Sequence, residues 1–257
     1  MKIARISTDA GPRYAILDEE ADELVVLAGD PIFQGLDTTG QRLPVEGTKF
    51  LSPIIPRSKV VAVGRNYADH IKEMGGTEAP ESPLLFFKPN TSVIGPEDPI
   101  VAPEWSRELS YEAELAVVIG RVCKDVPVER VNDVIYAYTV ANDVTARDIQ
   151  RQEPQWSRAK GFDTSCPLGP VLALDFDASD VAVRSRVNGE PRQDGRTSQM
   201  IRGVAELVSY ISHAFTLLPG DVILTGTPAG VGTVDHGDVI EVEVEGIGVL
   251  RNQVIRA

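Results

Sequence analysis

Cysteine is nearly absent from this 257-residue chain. Cys123 and Cys166 lie far apart and outside any CxxC spacing. Neither a disulfide framework nor a zinc–thiolate cluster is therefore expected, and a reducing compartment fits. Apolar runs are short, none approaching the roughly eighteen residues of a spanning helix. The opening Met1-Lys2-Ile3-Ala4-Arg5 meets Ser7, Thr8 and Asp9 too early for the apolar region of a signal peptide. A cytoplasmic protein is expected. Basic residues are also in deficit: 25 Lys and Arg stand against 38 Asp and Glu, a formal net charge of -13. A field of that sign disfavours nucleic acid and anionic membrane surfaces as partners. It also requires any site for a small anion to be locally basic.

What is present suffices for a large core. Hydrophobic residues make up 42% of the chain, and the length suits one large domain with a small appendage. Residues 2–7, 14–18 and 24–28 read as a meander of short strands. Residues 29–58 turn to Gly, Pro and Thr and read as a connector, with a boundary near residue 55. A small N-terminal β domain, 1–55, then precedes a catalytic domain, 56–257. In the latter, strands are expected at 59–63, 84–87, 115–119, 135–141, 171–174, 181–187, 222–224 and 239–244. Asn188-Gly189 marks a hairpin, because both central positions of such a turn favour positive φ. A short helix capped by Asn66 is expected to end at Gly75-Gly76. A polar helix over 145–152 and an apolar-faced helix capped by Ser198 are also expected. Residues 153–170 carry no clear period. Strands outnumber helices without regular alternation, which predicts a β-rich α+β fold.

One stretch stands out chemically. In Ser110-Tyr111-Glu112-Ala113-Glu114-Leu115 the two carboxylates share one face of a strand whose other face is apolar. Carboxylates so placed must reach solvent, share a proton, pair with cations or hold a metal. Asp143, at the mouth of the 135–141 strand, offers a third, either as a helix cap or as part of an all-oxygen set suited to Mg²⁺, Mn²⁺ or Ca²⁺. His70 and Glu73, three apart on a helix, form either a surface pair or a general base with its orienting carboxylate. Lys88, Arg147, Arg151 and Lys160 neighbour these positions in sequence and could supply the local positive field, or be solvated charges. The glycine-rich Thr225–Gly232 segment lacks a phosphate-loop lysine, but its backbone amides and a Thr hydroxyl could approach a ligand carboxylate. No Gly-x-Ser-x-Gly elbow is present.

Together, Gly64-Arg65-Asn66-Tyr67-Ala68-Asp69-His70 with Glu73, Tyr111–Leu115, Asn142–Asp148, Ala159–Asp163 and Leu224–Pro228 resemble the motif set of the fumarylacetoacetate hydrolase family, in the family's order from about residue 58 onward. The short N-terminal region is closer to its compact bacterial-type members. The resemblance implies a mixed β-roll or β-sandwich catalytic domain, usually homodimeric. It implies Mg²⁺ or Mn²⁺ at the positions matching Glu112, Glu114 and Asp143, water activation by His70 and Glu73, and charge stabilisation by Lys160. Arg65, Gln150 and Thr227 are implied as substrate contacts. The implied activity is metal-dependent C–C cleavage of small 2-oxo acids through an enolate: acylpyruvate hydrolysis, as of fumarylpyruvate or acetylpyruvate, or oxaloacetate decarboxylation. The alternative within the family is an isomerase or decarboxylase of 2-hydroxyhepta-2,4-diene-1,7-dioate type. Outside it stands a non-catalytic cation- or ligand-binding β protein.

Overall fold

The computed structural model describes residues 1–256. Its β-branched and aliphatic runs build a mixed twelve-stranded sheet, and the order across it explains where the site lies. From one edge it runs Thr38–Pro44, Glu23–Leu27, Gly11–Asp18, Lys2–Thr8, Cys166–Ala173, Ile135–Asn142, Ala113–Ile119, Val222–Leu224, Val60–Gly64 and Leu84–Lys88, with two short strands off this path. The N-terminal meander is continuous with the rest through the antiparallel pairing of Lys2 and Ile3 with Ala173 and Leu172. A five-stranded sheet packs on one face, ordered Glu190–Arg196, Ala182–Val187, Val239–Val244, Gly248–Arg256 and Ile100–Ala102. Leu115, Val117 and Ile119 meet Val183, Val242 and Leu250 in the resulting core. A second cluster, including Ala116, Val118, Val60, Ala62 and Leu224, lies on the opposite face. Side chains alternate along a strand, so Glu112 and Glu114 project on the side of that second cluster.

Several local expectations hold. Asn188 and Gly189 take positive φ, 54° and 80°, at the tip of the predicted hairpin. Val239–Val244 alternates buried and half-buried positions as its Val/Glu pattern requires. Others are corrected. Every residue of Ala113–Ile119 is buried, so the strand is covered on both faces and not half exposed. Residues 29–58 are more than a connector: they contain the helix Pro31–Gln34 and the strands Thr38–Pro44 and Phe50–Leu51. Residues 153–170 hold the helix Ser157–Gly161 and the start of the strand Cys166–Ala173. These pieces are too short to display a period.

Helix starts also move. The first short helix spans Ala68–Glu73, and Asn66 turns inward, its amide donating to the carbonyls of Thr225 (2.8 Å) and Arg202 (3.0 Å). The polar helix begins at Arg147, so Asp143 is not its cap. The apolar-faced helix begins at Val204 after Gly203, while Ser198 sits in a separate turn of 3₁₀ helix. Among the described residues no helix is long and apolar enough to cross a membrane.

At the seam of the N-terminal strands, Gly95 lies against the backbone of Leu51 and Ser52; an added Cβ would stand 2.3 Å from the Ser52 nitrogen. Overpacking against backbone costs about 1–3 kcal/mol. Gly95→Ala should therefore lower the thermal midpoint by roughly 2–10 °C, at a few degrees per kcal/mol. An unchanged midpoint in calorimetry would contradict this tight seam.

Candidate active site

The site forms where two strands end side by side. Ile135–Asn142 and Ala113–Ile119 are antiparallel neighbours, with Ala113 opposite Asn142. Their adjoining ends bring Glu112, Glu114 and Asp143 together. The Asn142 side chain accepts from the Glu112 N–H (3.0 Å), and the Asp143 N–H donates to the Glu112 carbonyl (2.9 Å). One oxygen from each of the three carboxylates lies within 4.8 Å of the others, and all three residues are buried.

Three buried cations surround them, so these are not the solvated charges that single basic residues usually are. Lys88 Nζ donates to Asp143 Oδ1 at 2.7 Å and also to the Lys160 carbonyl. Lys160 Nζ bridges Glu112 Oε2 and Asp143 Oδ2, 2.7 Å from each. Arg147 Nη2 pairs with Glu112 Oε1 at 2.5 Å. Arg151 differs: it is exposed and pairs with Glu108 at the surface.

The electrostatics divide the carboxylates. Burial pushes Glu112 upward, but the Lys160 and Arg147 charges beside it override that and hold it well below the usual carboxylate range. Glu114 is raised far above that range, first by burial and then by the Asp143 and Glu112 charges. The Gly226 N–H, 2.7 Å from its Oε2, offsets little of this. A buried carboxylate beside two others is a strained arrangement for a cation-free protein and a suitable one for a hard divalent ion. The all-oxygen donor set fits Mg²⁺ or Mn²⁺ and not zinc.

His70 and Glu73 share a helix face as their spacing predicts, with Nδ1 3.1 Å from Glu73 Oε2. The other Glu73 oxygen accepts from the Gly230 N–H at 2.9 Å. The glycine-rich segment thus presents its amides to two protein carboxylates. A cavity of about 240 Å³ joins these parts; it is lined by His70, Glu112, Glu114 and Lys160, by Arg65, Gln150 and Thr227, and by the apolar Ile71, Met74 and Trp156. Arg65, with φ of 58°, is exposed and has no ion-pair partner among the described residues. Gln150 accepts from Arg147 Nη1 at 2.9 Å. The Thr227 hydroxyl is engaged by the Ala113 carbonyl (2.9 Å) and by the Gln193 amide (2.7 Å). Sequence reasoning missed Gln193, which is buried on the hairpin's second strand, and Trp156, which stacks edge-on against Phe86. Only the buried phase of residue 193 in its strand could have drawn attention to it. A larger cavity, near 690 Å³, lies beside Tyr138, Phe176 and the start of the Val204–Ala214 helix, apart from these ionisable groups.

Comparison with known proteins finds both family matches and similar solved structures. Residues 59–255 match the family described as fumarylacetoacetate (FAA) hydrolase C-terminal, and residues 1–53 match Rv2993c-like, N-terminal. Protein Rv2993c of Mycobacterium tuberculosis is 48% identical over 263 residues, covering 100% of this chain and 98% of that one. The human mitochondrial oxaloacetate tautomerase FAHD2A is 42% identical over 225 residues, 83% of this chain and 71% of that protein. Among solved structures, 5-carboxymethyl-2-hydroxymuconate delta-isomerase from Mycobacterium smegmatis superposes with a TM-score of 0.93 at 46% identity, covering 100% of both chains. Fumarylpyruvate hydrolase from Pseudomonas aeruginosa, solved with Mn²⁺ and pyruvate, gives 0.75 at 36% identity, covering 79% of this chain and 91% of that one.

The like-charge crowding at Glu114 has a measurable consequence. Glu114→Gln removes a buried carboxyl but retains an acceptor for Gly226, and it should raise the metal-free thermal midpoint by a few degrees, on the order of 1 kcal/mol. Mn²⁺ at about a hundred times its Kd should stabilise the unaltered chain by about 2.7 kcal/mol and the variant hardly at all. A variant that melts lower and still responds fully to Mn²⁺ would remove Glu114 from the ion site.

Proposed function

The chain belongs to the fumarylacetoacetate hydrolase family, and we propose that it is a divalent-cation-dependent enzyme interconverting tautomers or isomers of small 2-oxo dicarboxylates, oxaloacetate first among them. The observation that carries this reading is a cluster of three buried carboxylates beside a His–Glu dyad, with His70, Glu112 and Glu114 lining one small cavity. At about 240 Å³ the cavity falls below the roughly 300–1,000 Å³ common for drug-sized ligands, which favours a compact substrate.

Charge favours a dianion. Glu112, Glu114 and Asp143 balance Lys88, Arg147 and Lys160 in formal charge, so a divalent cation leaves two positive charges for the substrate to neutralise. Glu112, Glu114 and Asp143 would hold the cation, which would supply Lewis acidity to a bound 2-oxo acid. The chain's own groups do the rest. Glu73 holds Nδ1 of His70, leaving Nε2 as the nitrogen that exchanges a proton with the carbon next to the 2-oxo group. Gly230 fixes Glu73, and through it the plane of the imidazole. Lys160 keeps a cation beside the oxygens where negative charge gathers. Arg65 and Arg151 at the cavity lining offer partners to a distal carboxylate.

Hydrolysis of acylpyruvates is a second reading, favoured by the dyad itself, since a histidine oriented by glutamate can deprotonate water as readily as carbon. The two readings differ in what His70 acts on, not in which residues hold the substrate.

Purified protein with Mg²⁺ or Mn²⁺ should accelerate enol–keto conversion of oxaloacetate, followed by loss of enol absorbance, and should prefer diacids to monoacids such as acetylpyruvate. His70→Ala should lower kcat about 10²–10⁴-fold, the usual contribution of a general base, with Mn²⁺ affinity within a few-fold of the parent. Equal handling of acetylpyruvate would refute the dianion assignment, and near-parental turnover in the His70 variant would refute the dyad's role.

A further inference from the structure

The strand bearing Glu114 loses a neighbour where the carboxylates begin. Val222–Leu224 pairs with Ala116–Val118, and Thr225 still reaches the Leu115 carbonyl through its hydroxyl at 2.8 Å. Beyond that point the chain leaves the sheet as the glycine-rich segment. Ala113, between Glu112 and Glu114, therefore has no strand beside it on that edge. A side chain takes the strand's place: Oε1 of Gln193 accepts from the Ala113 N–H at 2.9 Å, and the Ala113 carbonyl accepts from the Thr227 hydroxyl at 2.9 Å.

All four hydrogen-bonding positions of the Gln193 amide are used. Nε2 donates to Thr227 Oγ1 at 2.7 Å and to the Pro228 carbonyl at 2.8 Å, while Oε1 also accepts from the Ser185 hydroxyl at 3.0 Å. The Ala113 N–H can only donate and the Pro228 carbonyl can only accept, so the amide has a single orientation. The packing around it is equally close. A Cβ on Gly230, whose φ is 104°, would stand 2.3 Å from the Arg192 carbonyl, and one on Gly195 would stand 2.4 Å from Pro228. The glycine-rich segment is thus seated on the strand Glu190–Arg196, with Gln193 at the centre of the seat. From there it sends the Gly226 N–H to Glu114 and the Gly230 N–H to Glu73.

We propose that Gln193 is a positioning residue that sets the ion-binding carboxylate Glu114 and the dyad carboxylate Glu73 together, by docking the Thr225–Gly232 segment on the Glu112–Glu114 strand. Gln193 touches neither cation nor substrate; it acts through Ala113, Thr227 and Pro228. Losing partners that orient metal ligands commonly costs about 10–100-fold in affinity. The proposal rests on the cation site of the functional reading but not on the identity of the substrate.

The test compares Gln193→Met, similar in length and without the four hydrogen bonds, with Gln193→Glu, which keeps the acceptor side and loses both donors to the glycine-rich segment. Ser185→Ala, which removes only the partner remote from that segment, is the control. Hydrogen–deuterium exchange at the Gly226 and Gly230 amides and Mn²⁺ affinity by calorimetry are measured on each folded variant. Both Gln193 variants should exchange at these amides at least tenfold faster and bind Mn²⁺ about tenfold more weakly, while Ser185→Ala stays within twofold on both. Should the Met variant fail to fold, the Glu variant carries the same comparison. Faster exchange with Mn²⁺ affinity within twofold of the parent would make Gln193 merely structural and overturn the proposal, as would unchanged exchange. Intact Mn²⁺ binding with no turnover of any 2-oxo acid by the unaltered chain would overturn the substrate assignment and leave this result standing.

Discussion

Six buried ionisable groups gathered in one cluster are the constraint from which the rest of this structure follows. Glu112, Glu114 and Asp143 cannot be desolvated together without compensation, and Lys88, Arg147 and Lys160 provide it from three other segments. Replacing a buried ion pair by apolar residues is often neutral or stabilising. Such a network is therefore poorly explained by stability alone. Its asymmetry is more telling: Glu112 and Asp143 have ammonium or guanidinium partners, whereas Glu114 has one backbone amide. Folding leaves one carboxyl short of positive charge, at the place where an exogenous cation would supply it.

The glycine-rich segment joins this electrostatic problem to the geometry of the dyad. Glu114 and Glu73 are distant in sequence and lie on a strand and a short helix, yet each accepts an amide from the same eight residues. Glycine at 226 and 230 is required twice over, by positive φ of 96° and 104° and by close neighbours, Asn66 Cβ at 226 and the Arg192 carbonyl at 230, that leave no room for a Cβ. A segment built this way has little stability of its own. It takes its shape from the strand Glu190–Arg196, and so the smaller sheet, which contributes no ionisable group to the cavity lining, still governs the site.

Much of the fold and site was legible in the sequence because local patterns and short motifs carry it. Alternation predicted the Val239–Val244 strand, Asn188-Gly189 the hairpin joining Ala182–Val187 to Glu190–Arg196, and i, i+3 spacing the His70–Glu73 contact. What stayed hidden was set by tertiary contact. Asn66 reads as a cap because Asn competes well for helix amides, but two carbonyls of distant segments claim its side chain instead. The Glu112 strand reads as half exposed because carboxylates normally mark a solvent face; here cations from the strand Leu84–Lys88 and the helices Arg147–Gln152 and Ser157–Gly161 cover it. Gln193 gives no local signal beyond its strand phase, since its meaning lies in Ala113, eighty positions away.

The division of labour also bears on how one scaffold serves relatives named as isomerase, tautomerase and hydrolase. On the proposed reading the three carboxylates would hold a cation able to polarise a 2-oxo acid whatever happens next, and they stand at the ends of core strands. On that reading, proton transfer at carbon and attack by water would be distinguished by what else lines the cavity with His70. That lining includes Arg65, Met74, Arg151 and Trp156, from a strand end, a helix end, a helix and a turn. Among the described residues none of their side chains pairs with the six ionisable groups. Substitution there should change which carbon or oxygen the imidazole reaches while leaving the carboxylate cluster undisturbed, whereas substitution within the cluster should disturb each of these reactions alike. Reaction type should therefore vary at the rim of this fold, and dependence on a cation should not.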